Sequence, residues 1–322
     1  PLSMSFDIRD SAVYPDTSRV AEAMKTIWTS TPWGSKTTLD GVVLIDPVVL
    51  QELVGATGNI TLPDGRVLTG SNTAQFLLNT VYIDYPVSQQ DGLFQLVAES
   101  AMSSAFSNMR FSKLMTISKI MSSMAEGRHL SVYAFDTSTQ KSIAAAGFTA
   151  STPNSEQSPS VGVYVTEQSP SKMDWYVHRT SRVVRQSCNA DGSQTYQVTY
   201  TMKNTMTSKE ASSLSTYITG NDSSVGGGGA AIEKTLIYPP KGGSIKNLSI
   251  NGTSTAVKHT TLNGKEIYAS VITMSPGADA TISFTVTTST KSTADLRLDQ
   301  TPMGWVNSGI VYDTASCEIK KK

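Results

Sequence analysis

The sequence predicts a chain of two halves, an α/β half over residues 1–150 and an all-β half over residues 186–322, joined by a connecting hairpin at residues 151–185. In the first half, apolar residues at helical spacing alternate with short strand-like runs. After residue 194, nearly every segment alternates with a period of two and ends at a turn sequence. With 322 residues, the chain is long enough to form two hydrophobic cores.

The first half is organised around residues 39–58. Residues 42–45 form an uninterrupted, mostly β-branched run, which is the pattern of a strand covered on both faces. Pro47 ends this run and suits the first turn of a helix, and Asp46 can cap that helix with its carboxylate. Because open α/β sheets bind ligands at the carboxyl ends of their strands, we expect Asp46 to lie near a ligand site.

The remaining elements of this half follow from spacing and turn residues. The motif Pro63-Asp64-Gly65 predicts a hairpin over residues 59–68, and alternation predicts a strand over residues 129–135. Apolar residues three and four positions apart predict helices over residues 16–28, from 71 or 72 to 82, 88–106, 111–125 and 137–147.

The second half contains strand candidates separated by short turns. The turn sequences are Asn251-Gly252, Asn263-Gly264 and Pro276-Gly277. Strands at this spacing predict an antiparallel sandwich of immunoglobulin-like type. We expect residues 223–229, SSVGGGG, to form a flexible surface loop. Because they lack the ending that a phosphate-binding loop requires, we do not expect them to bind phosphate.

The composition narrows the class of protein. Lys+Arg and Asp+Glu both number 26, so no net charge favours nucleic acid or an anionic membrane. Charged residues make up only 16% of the chain, and a surface rich in hydroxyl groups favours an extracellular location. No stretch approaches the roughly 18 apolar residues that a membrane span needs, and the first residues do not form a signal peptide. Because the chain opens on Pro1, we expect it to be part of a longer precursor.

The two cysteines, Cys188 and Cys317, lie 129 positions apart. In an exported protein this even count favours one long-range disulfide, worth about 3–5 kcal/mol through restriction of the unfolded chain. In a cytosolic protein the alternative is two buried free thiols.

The candidate catalytic groups are carboxylates. Three histidines occur, and each stands in a strand-like segment without a partner at metal-ligand spacing, so we expect no zinc site. Several aspartates cluster in the first 91 residues, and most of them are expected to form caps and turns. Asp46 and Asp91 are the two that we select as candidate catalytic residues, since carboxylates can bind a divalent metal or act as a general base.

Several motifs in this order resemble a known family. They are LDGVVLIDPVVLQELVGATGNITLPDG, QQDGLFQLVAESAMSSAF, VGVYVTEQSPSKMDWYVHR, CNADGSQTYQVTYTMKNT and the terminal DQTPMGW. Together they resemble the bacterial family called domain of unknown function 4012, which is typical of actinobacterial cell envelopes. The resemblance implies a cell-surface location and an N-terminal membrane anchor upstream of the present chain.

That family is in turn distantly similar to LytR-CpsA-Psr phosphotransferases, which attach glycopolymers from a polyprenyl-pyrophosphate carrier to peptidoglycan. Residues 39–60 parallel a motif of that family, so residues 1–150 are predicted to be a LytR-CpsA-Psr-like domain that lacks its N-terminal part. The family binds pyrophosphate with an arginine cluster, as bidentate guanidinium chemistry requires. The corresponding region here has no arginine or lysine between Arg66 and Arg110.

Two functions follow from these observations. The first is a non-catalytic envelope protein that binds an envelope glycan or a surface protein and needs no cofactor. The second is a phosphotransferase or pyrophosphatase acting on lipid-linked glycans, with Asp46 and Asp91 placing Mg²⁺. The missing positive charge would then come from a segment upstream of the present chain or from Arg9 and Arg19. In both, nucleic acid is not a partner, and membrane contact occurs only through the upstream anchor.

Overall fold

The fold was analysed in a computed structural model, which describes residues 13–221, 228–254 and 257–315. The chain divides after Ser151 into two compact units. The N-terminal unit comprises residues 2–151 together with residues 304–306, and the C-terminal unit comprises the remainder.

The N-terminal unit contains helices and short strands. Its strands are β1 (Gly41–Ile45), β2 (Ile60–Thr61), β3 (Val67–Leu68) and β4 (Leu130–Ala134). Its helices are α1 (Thr17–Thr29), α2 (Pro47–Thr57), α3 (Thr73–Gln75), α4 (Val81–Asp84), α5 (Val87–Phe106), α6 (Phe111–Glu126) and α7 (Thr137–Ala145), with a π-helical turn (Phe76–Thr80) between α3 and α4 and a 3-10 turn (Gly34–Lys36) after α1.

Apolar residues at helical spacing form the core of this unit. Helix α5 follows Pro86 and buries one residue per turn along a single face. Helix α2 is capped by Asp46, begins at Pro47 and ends at Gly58, whose φ of 120° suits a residue without a side chain. Apolar residues of α2, α5 and α6 pack together with Leu130 of β4. The predicted helices and the hairpin β2–β3 are therefore confirmed, with bounds shifted by a few residues.

The environment of β1 was predicted wrongly. We expected a strand covered on both faces in an open α/β sheet, but among the described residues β1 pairs only with β4, and the two strands are antiparallel. The side chain of Val43 is 62% exposed and that of Ile45 is 37% exposed. A run of β-branched residues predicts a strand but does not distinguish a central strand from an edge strand. The rule that places ligands at the ends of parallel strands therefore does not apply here.

The C-terminal unit contains two five-stranded sheets. The first has the order β10 (Lys258–Leu262), β11 (Lys265–Met274), β8 (Ala231–Tyr238), β5 (Ser160–Glu167) and β13 (Arg297–Gln300). The second has the order β14 (Ile310–Asp313), β6 (Val177–Cys188), β7 (Gln194–Asn204), β12 (Asp279–Thr287) and β9 (Ser244–Ile250). Two short helices, α8 (Ser208–Ser213) and α9 (Thr216–Thr219), follow β7, and a 3-10 turn (Met173–Tyr176) precedes β6.

The long strands of this unit bury every second residue. Alternate residues of β6, β7 and β12 are buried, so one face of their sheet points inward. The backbone N–H of Leu298 in β13 donates to the hydroxyl of Tyr312, one residue before the end of β14, which links the two sheets. The described residues therefore show two packed, mainly antiparallel sheets, and the finer immunoglobulin-like assignment stays a prediction.

Two details of the second half differ from expectation. The predicted hairpin at residues 151–185 does not form, because β5 and β6 belong to different sheets and the 3-10 turn before β6 carries the chain between them. The sheets are also not wholly antiparallel, since β13 pairs with β5 and β14 pairs with β6 in parallel. Strands β13 and β14, near the end of the chain, thus pair with the first two strands of the unit. Local turn sequences do not encode such long-range pairing.

The predicted disulfide involves a residue outside the described part of the chain. Cys188 is the last residue of β6, and Cys317 lies beyond residue 315. The parallel pairing of β14 with β6 places Ile310 opposite Ser181, an offset of 129 positions that equals the spacing of the two cysteines in the sequence. The loop predicted at residues 223–229 lies largely outside the described residues too.

Candidate functional site

Asp46 lies where β1 ends and α2 begins, as the sequence predicts. Its Oδ1 accepts hydrogen bonds from the backbone N–H groups of Val48, at 2.9 Å, and Val49, at 3.3 Å. These two amides would otherwise lack partners at the start of the helix. The predicted capping role of Asp46 is confirmed.

The second oxygen of Asp46 binds His129. The distance from Asp46 Oδ2 to His129 Nδ1 is 2.6 Å, and the histidine side chain is only 4% exposed. The antiparallel pairing of β1 with β4 brings these residues together, because the residue before β4 then lies opposite the residue after β1. The backbone N–H of Asp46 donates to the carbonyl of His129 at 3.1 Å, which continues the same ladder.

Sequence reasoning missed this pair because it treated His129 as standing alone. The two residues are 83 positions apart, so no motif spacing joins them. The signal that could have found them is the strand predicted at residues 129–135, if it is paired in an antiparallel manner with the strand at residues 42–45.

The pair resembles the carboxylate–imidazole half of a catalytic triad. A carboxylate that accepts from Nδ1–H fixes the imidazole tautomer and leaves Nε2 as an acceptor. Here, however, the imidazole is almost fully buried, and both carboxylate oxygens already hold protein donors. The arrangement fits a group that fixes the junction of β1, α2 and β4.

Neighbouring polar contacts support this structural interpretation. Arg128, next to His129, donates from its guanidinium to the carbonyls of Pro15 and Ser151, each at 2.7 Å. Thr17 donates its hydroxyl proton toward Ser131 Oγ at 3.1 Å. These bonds hold the start of β4 against the segment that leads into α1.

The other predicted site residues do not join Asp46. Asp91 is exposed on α5, Arg19 is exposed on α1, and Arg9 lies outside the described residues. Among the residues that the structure describes, no hydrogen bond or ion pair links Asp46 with Asp91 or Arg19. Within the same residues, no group of three or more histidine, cysteine or acidic side chains is arranged to hold a metal ion.

A cleft of about 360 Å³ opens on the C-terminal unit. It lies between the turn that joins β8 to β9, the start of β11 and the segment that leads into β5. It is lined by Pro153, Asn154, Tyr238, Pro239, Pro240, Lys241, Gly242, Gly243, Lys265 and Glu266. Sequence analysis did not select any of these residues, and the run PPKGG at residues 239–243 was the available signal.

Lys265 holds one wall of the cleft in place. Its Nζ donates to Thr152 Oγ1 at 2.5 Å and to the carbonyls of Thr152 and Pro153 at 3.2 Å each. The segment before β5 is thereby tied to the first residue of β11. The prolines contribute rigid, apolar surface to the cleft.

The rim of the cleft is polar. Lys241, Asn154 and Glu266 are exposed, and Glu266 Oε1 lies 2.5 Å from His259 Nε2. The imidazole of His259 stacks on the ring of Tyr268, with centroids 4.9 Å apart. Burial, together with the charge of Glu266, raises the pKa of the Tyr268 hydroxyl, which donates to Glu266 Oε1 at 3.3 Å. The cleft thus combines an apolar floor with donors and acceptors along its edge.

These features define a two-unit chain with a mixed helical and β N-terminal unit and a two-sheet C-terminal unit. Residues 1–82 match the model of the family described as Protein of unknown function (DUF4012), which confirms the predicted resemblance over this part of the chain. Similarity to LytR-CpsA-Psr phosphotransferases stays a prediction. Within the described residues, no helix is both long and apolar enough to cross a membrane.

Comparison with other proteins adds little. No curated protein matches the chain. A solved structure from Legionella pneumophila, provisionally described as a nutrient binding protein, shares 12% identity and superposes with a TM-score of 0.25. The alignment covers 42% of the present chain and 45% of that protein, so the chain spans less than half of its length.

Proposed function

We propose that the protein is an envelope protein exposed at the cell surface, and that the cleft of its C-terminal unit binds an envelope glycan without catalysing a reaction. The observation that carries the proposal is the cleft itself, in which rigid apolar residues form the floor and charged side chains form the rim. The resemblance of residues 1–82 to that family and the low charge content of the chain support the location.

The chemistry of a glycan fits this arrangement. A sugar ring presents patches of C–H groups on its faces and hydroxyl groups around its edge. The proline floor can cover the C–H patches, which removes apolar surface from water. At the rim, Lys241 can donate to hydroxyl oxygens and Glu266 can accept from hydroxyl protons. A neutral glycan is favoured over a strongly charged one because the rim carries both signs.

The catalytic alternative receives less support. A phosphotransferase or pyrophosphatase would use Asp46 and Asp91 to place Mg²⁺ near a pyrophosphate. Both carboxylate oxygens of Asp46 already accept hydrogen bonds from protein groups, so a metal would have to displace them. Binding of an undecaprenyl-pyrophosphate analogue that requires Mg²⁺, and that is lost in both Asp46→Ala and Asp91→Ala, would favour this alternative.

The proposal is tested by titrating the protein with neutral oligosaccharides released from bacterial envelope polysaccharides and following binding by calorimetry. We expect binding by the wild type and a loss of about tenfold in affinity for Lys241→Ala and for Glu266→Gln, since each removes a hydrogen bond to a charged group. Lys203→Ala, which removes an exposed lysine from β7, is the matched control and should bind like the wild type.

Two results would contradict the proposal. One is a folded protein that binds none of these oligosaccharides, and the other is binding that both cleft variants leave unchanged. Binding of a surface protein at the cleft, with no binding of glycans, would replace the glycan with a protein partner.

A further inference from the structure

The connection between α5 and α6 presents a group of apolar side chains to solvent. Large apolar residues cluster within ten positions of the chain there, and each of them is between 40% and 79% exposed. Single exposed apolar residues are common on protein surfaces, whereas a group of them marks an interaction site. We call this group the apolar tip, and its members are Phe106, Met109, Phe111, Leu114 and Met115.

The turn that carries the apolar tip is held in place by the protein itself. Asn108 has a φ of 47°, which reverses the chain between the two helices. Lys113 Nζ donates to the carbonyls of Ser104, at 2.6 Å, and Ser107, at 2.7 Å. Carbonyls at the end of a helix have no partner within it, so Lys113 satisfies them and ties the start of α6 to the end of α5. A partner therefore does not have to order this turn when it binds.

The apolar surface is confined to the start of α6. Phe111, Leu114 and Met115 lie on one face of the helix, because they are three and four positions apart. Further along the same face, the exposed residues are Ser118 and Ser122. A partner helix lying along α6 would need apolar contacts at each turn, whereas a lipid surface receives only the end of the hairpin.

Positive charge accompanies the apolar tip. Arg110, Lys113 and Lys119 lie in or next to it, and the sequence contains no acidic residue between Glu99 and Glu126. Acidic and basic residues balance over the whole chain, so this excess is local. Anionic lipid headgroups attract lysine and arginine, and apolar side chains beside them enter the boundary between headgroups and acyl chains.

We propose that the apolar tip docks on an anionic lipid surface. Phe111 and Met115 enter the boundary below the headgroups, while Arg110 and Lys119, which are exposed, bind lipid phosphates. Lys113 adds its charge while holding the turn. The contact belongs to the N-terminal unit and does not depend on the cleft of the C-terminal unit.

Cosedimentation of the whole chain with lipid vesicles tests the proposal. We expect binding to vesicles of equal parts phosphatidylglycerol and phosphatidylcholine, and binding about tenfold weaker to vesicles of phosphatidylcholine alone. Phe111→Ser should weaken binding to the mixed vesicles about tenfold, because it removes the largest apolar group of the tip. Lys119→Gln should weaken it about fivefold at low salt and less at high salt, because it removes one charge near the surface.

Val87→Ser is the matched control. Val87 is 66% exposed and is the first residue of α5, at the end of that helix away from the tip, so this variant should bind like the wild type. Far-UV circular dichroism establishes that each variant is folded. A folded wild type that does not bind the mixed vesicles would overturn the proposal, and a protein partner, a second copy or another segment of the chain would then be the occupant of the tip. Binding that Phe111→Ser and Lys119→Gln leave unchanged would also overturn it, because another surface would then contact the lipid.

Discussion

Replacing Glu233 by glutamine tests the interior of the C-terminal unit most directly. Glu233 lies in the central strand β8, is 1% exposed, and has an Oε2 atom without a hydrogen-bond partner. Burial raises the pKa of this carboxyl well above its usual range, and the neighbouring charges of Asp174 and Glu167 raise it further. The folded chain therefore holds a proton on Glu233 that the unfolded chain releases.

The linkage between protonation and folding gives the sign and the size of the change in the free energy of unfolding with pH. Because the pKa is higher in the folded state, the stabilising effect of this proton is complete below the unfolded-state pKa and is lost as the pH rises toward the folded-state pKa. Over that range, the free energy of unfolding falls by about 1.4 kcal/mol per pH unit. Glutamine does not titrate, so Glu233→Gln lacks this slope. The raised pKa values of Asp174 and Glu167 give slopes of the same sign, and the lowered pKa of His178 gives a slope of opposite sign; all three groups are present in both proteins.

Urea unfolding of both proteins at about pH 5, 6 and 7, followed by tryptophan fluorescence, measures this difference. We expect the variant to gain about 1.4 kcal/mol on the wild type for each pH unit. Asp191→Asn is the control, because hydrogen bonds from Ser193 lower the pKa of Asp191 and confine its effect to more acidic solution. If the difference in free energy of unfolding between Glu233→Gln and the wild type does not change with pH, as we expect for the control, then Glu233 is ionised in the folded chain and the reasoning is refuted.

Three further predictions concern single contacts. Asp46→Ala should lower the free energy of unfolding of the N-terminal unit by about 2–4 kcal/mol in urea, because it removes a helix cap and leaves His129 unpaired; an unchanged midpoint would contradict the capping role. Gly41→Ala should lower it by about 1–3 kcal/mol, because the methyl group would meet the backbone of Tyr133, and thermal unfolding would show the loss. Alkylation of the denatured, unreduced protein should find no free thiol if the predicted disulfide is present, and Cys188→Ser should then cost about 3–5 kcal/mol; two alkylated cysteines would exclude the disulfide.

Individual helices, strands and caps were predictable from the sequence, whereas the pairing of strands that are distant in the sequence was not. The cap at Asp46 depends on residues within three positions, so the sequence contains the whole interaction. The bond from Asp46 to His129 depends on which strand pairs with β1, and the same β-branched run is compatible with a parallel or an antiparallel partner. The crossing between β5 and β6 was missed for the same reason, since strand pairing over long distances leaves no local signal.

The same distinction explains why sequence analysis did not select the cleft. Asp46 was selected because a carboxylate after a strand is a common ligand group, but its oxygens are used by the backbone of α2 and by His129. The cleft depends instead on residues around 153, 240 and 265, which come together only through the pairing of β5, β8 and β11. Its rim keeps Lys241 and Glu266 exposed to solvent, so a ligand can reach them without breaking a bond that holds the sheets together. Binding at the cleft and stability at Asp46 should therefore respond to mutation independently, which is the result that a binding function located in the C-terminal unit requires.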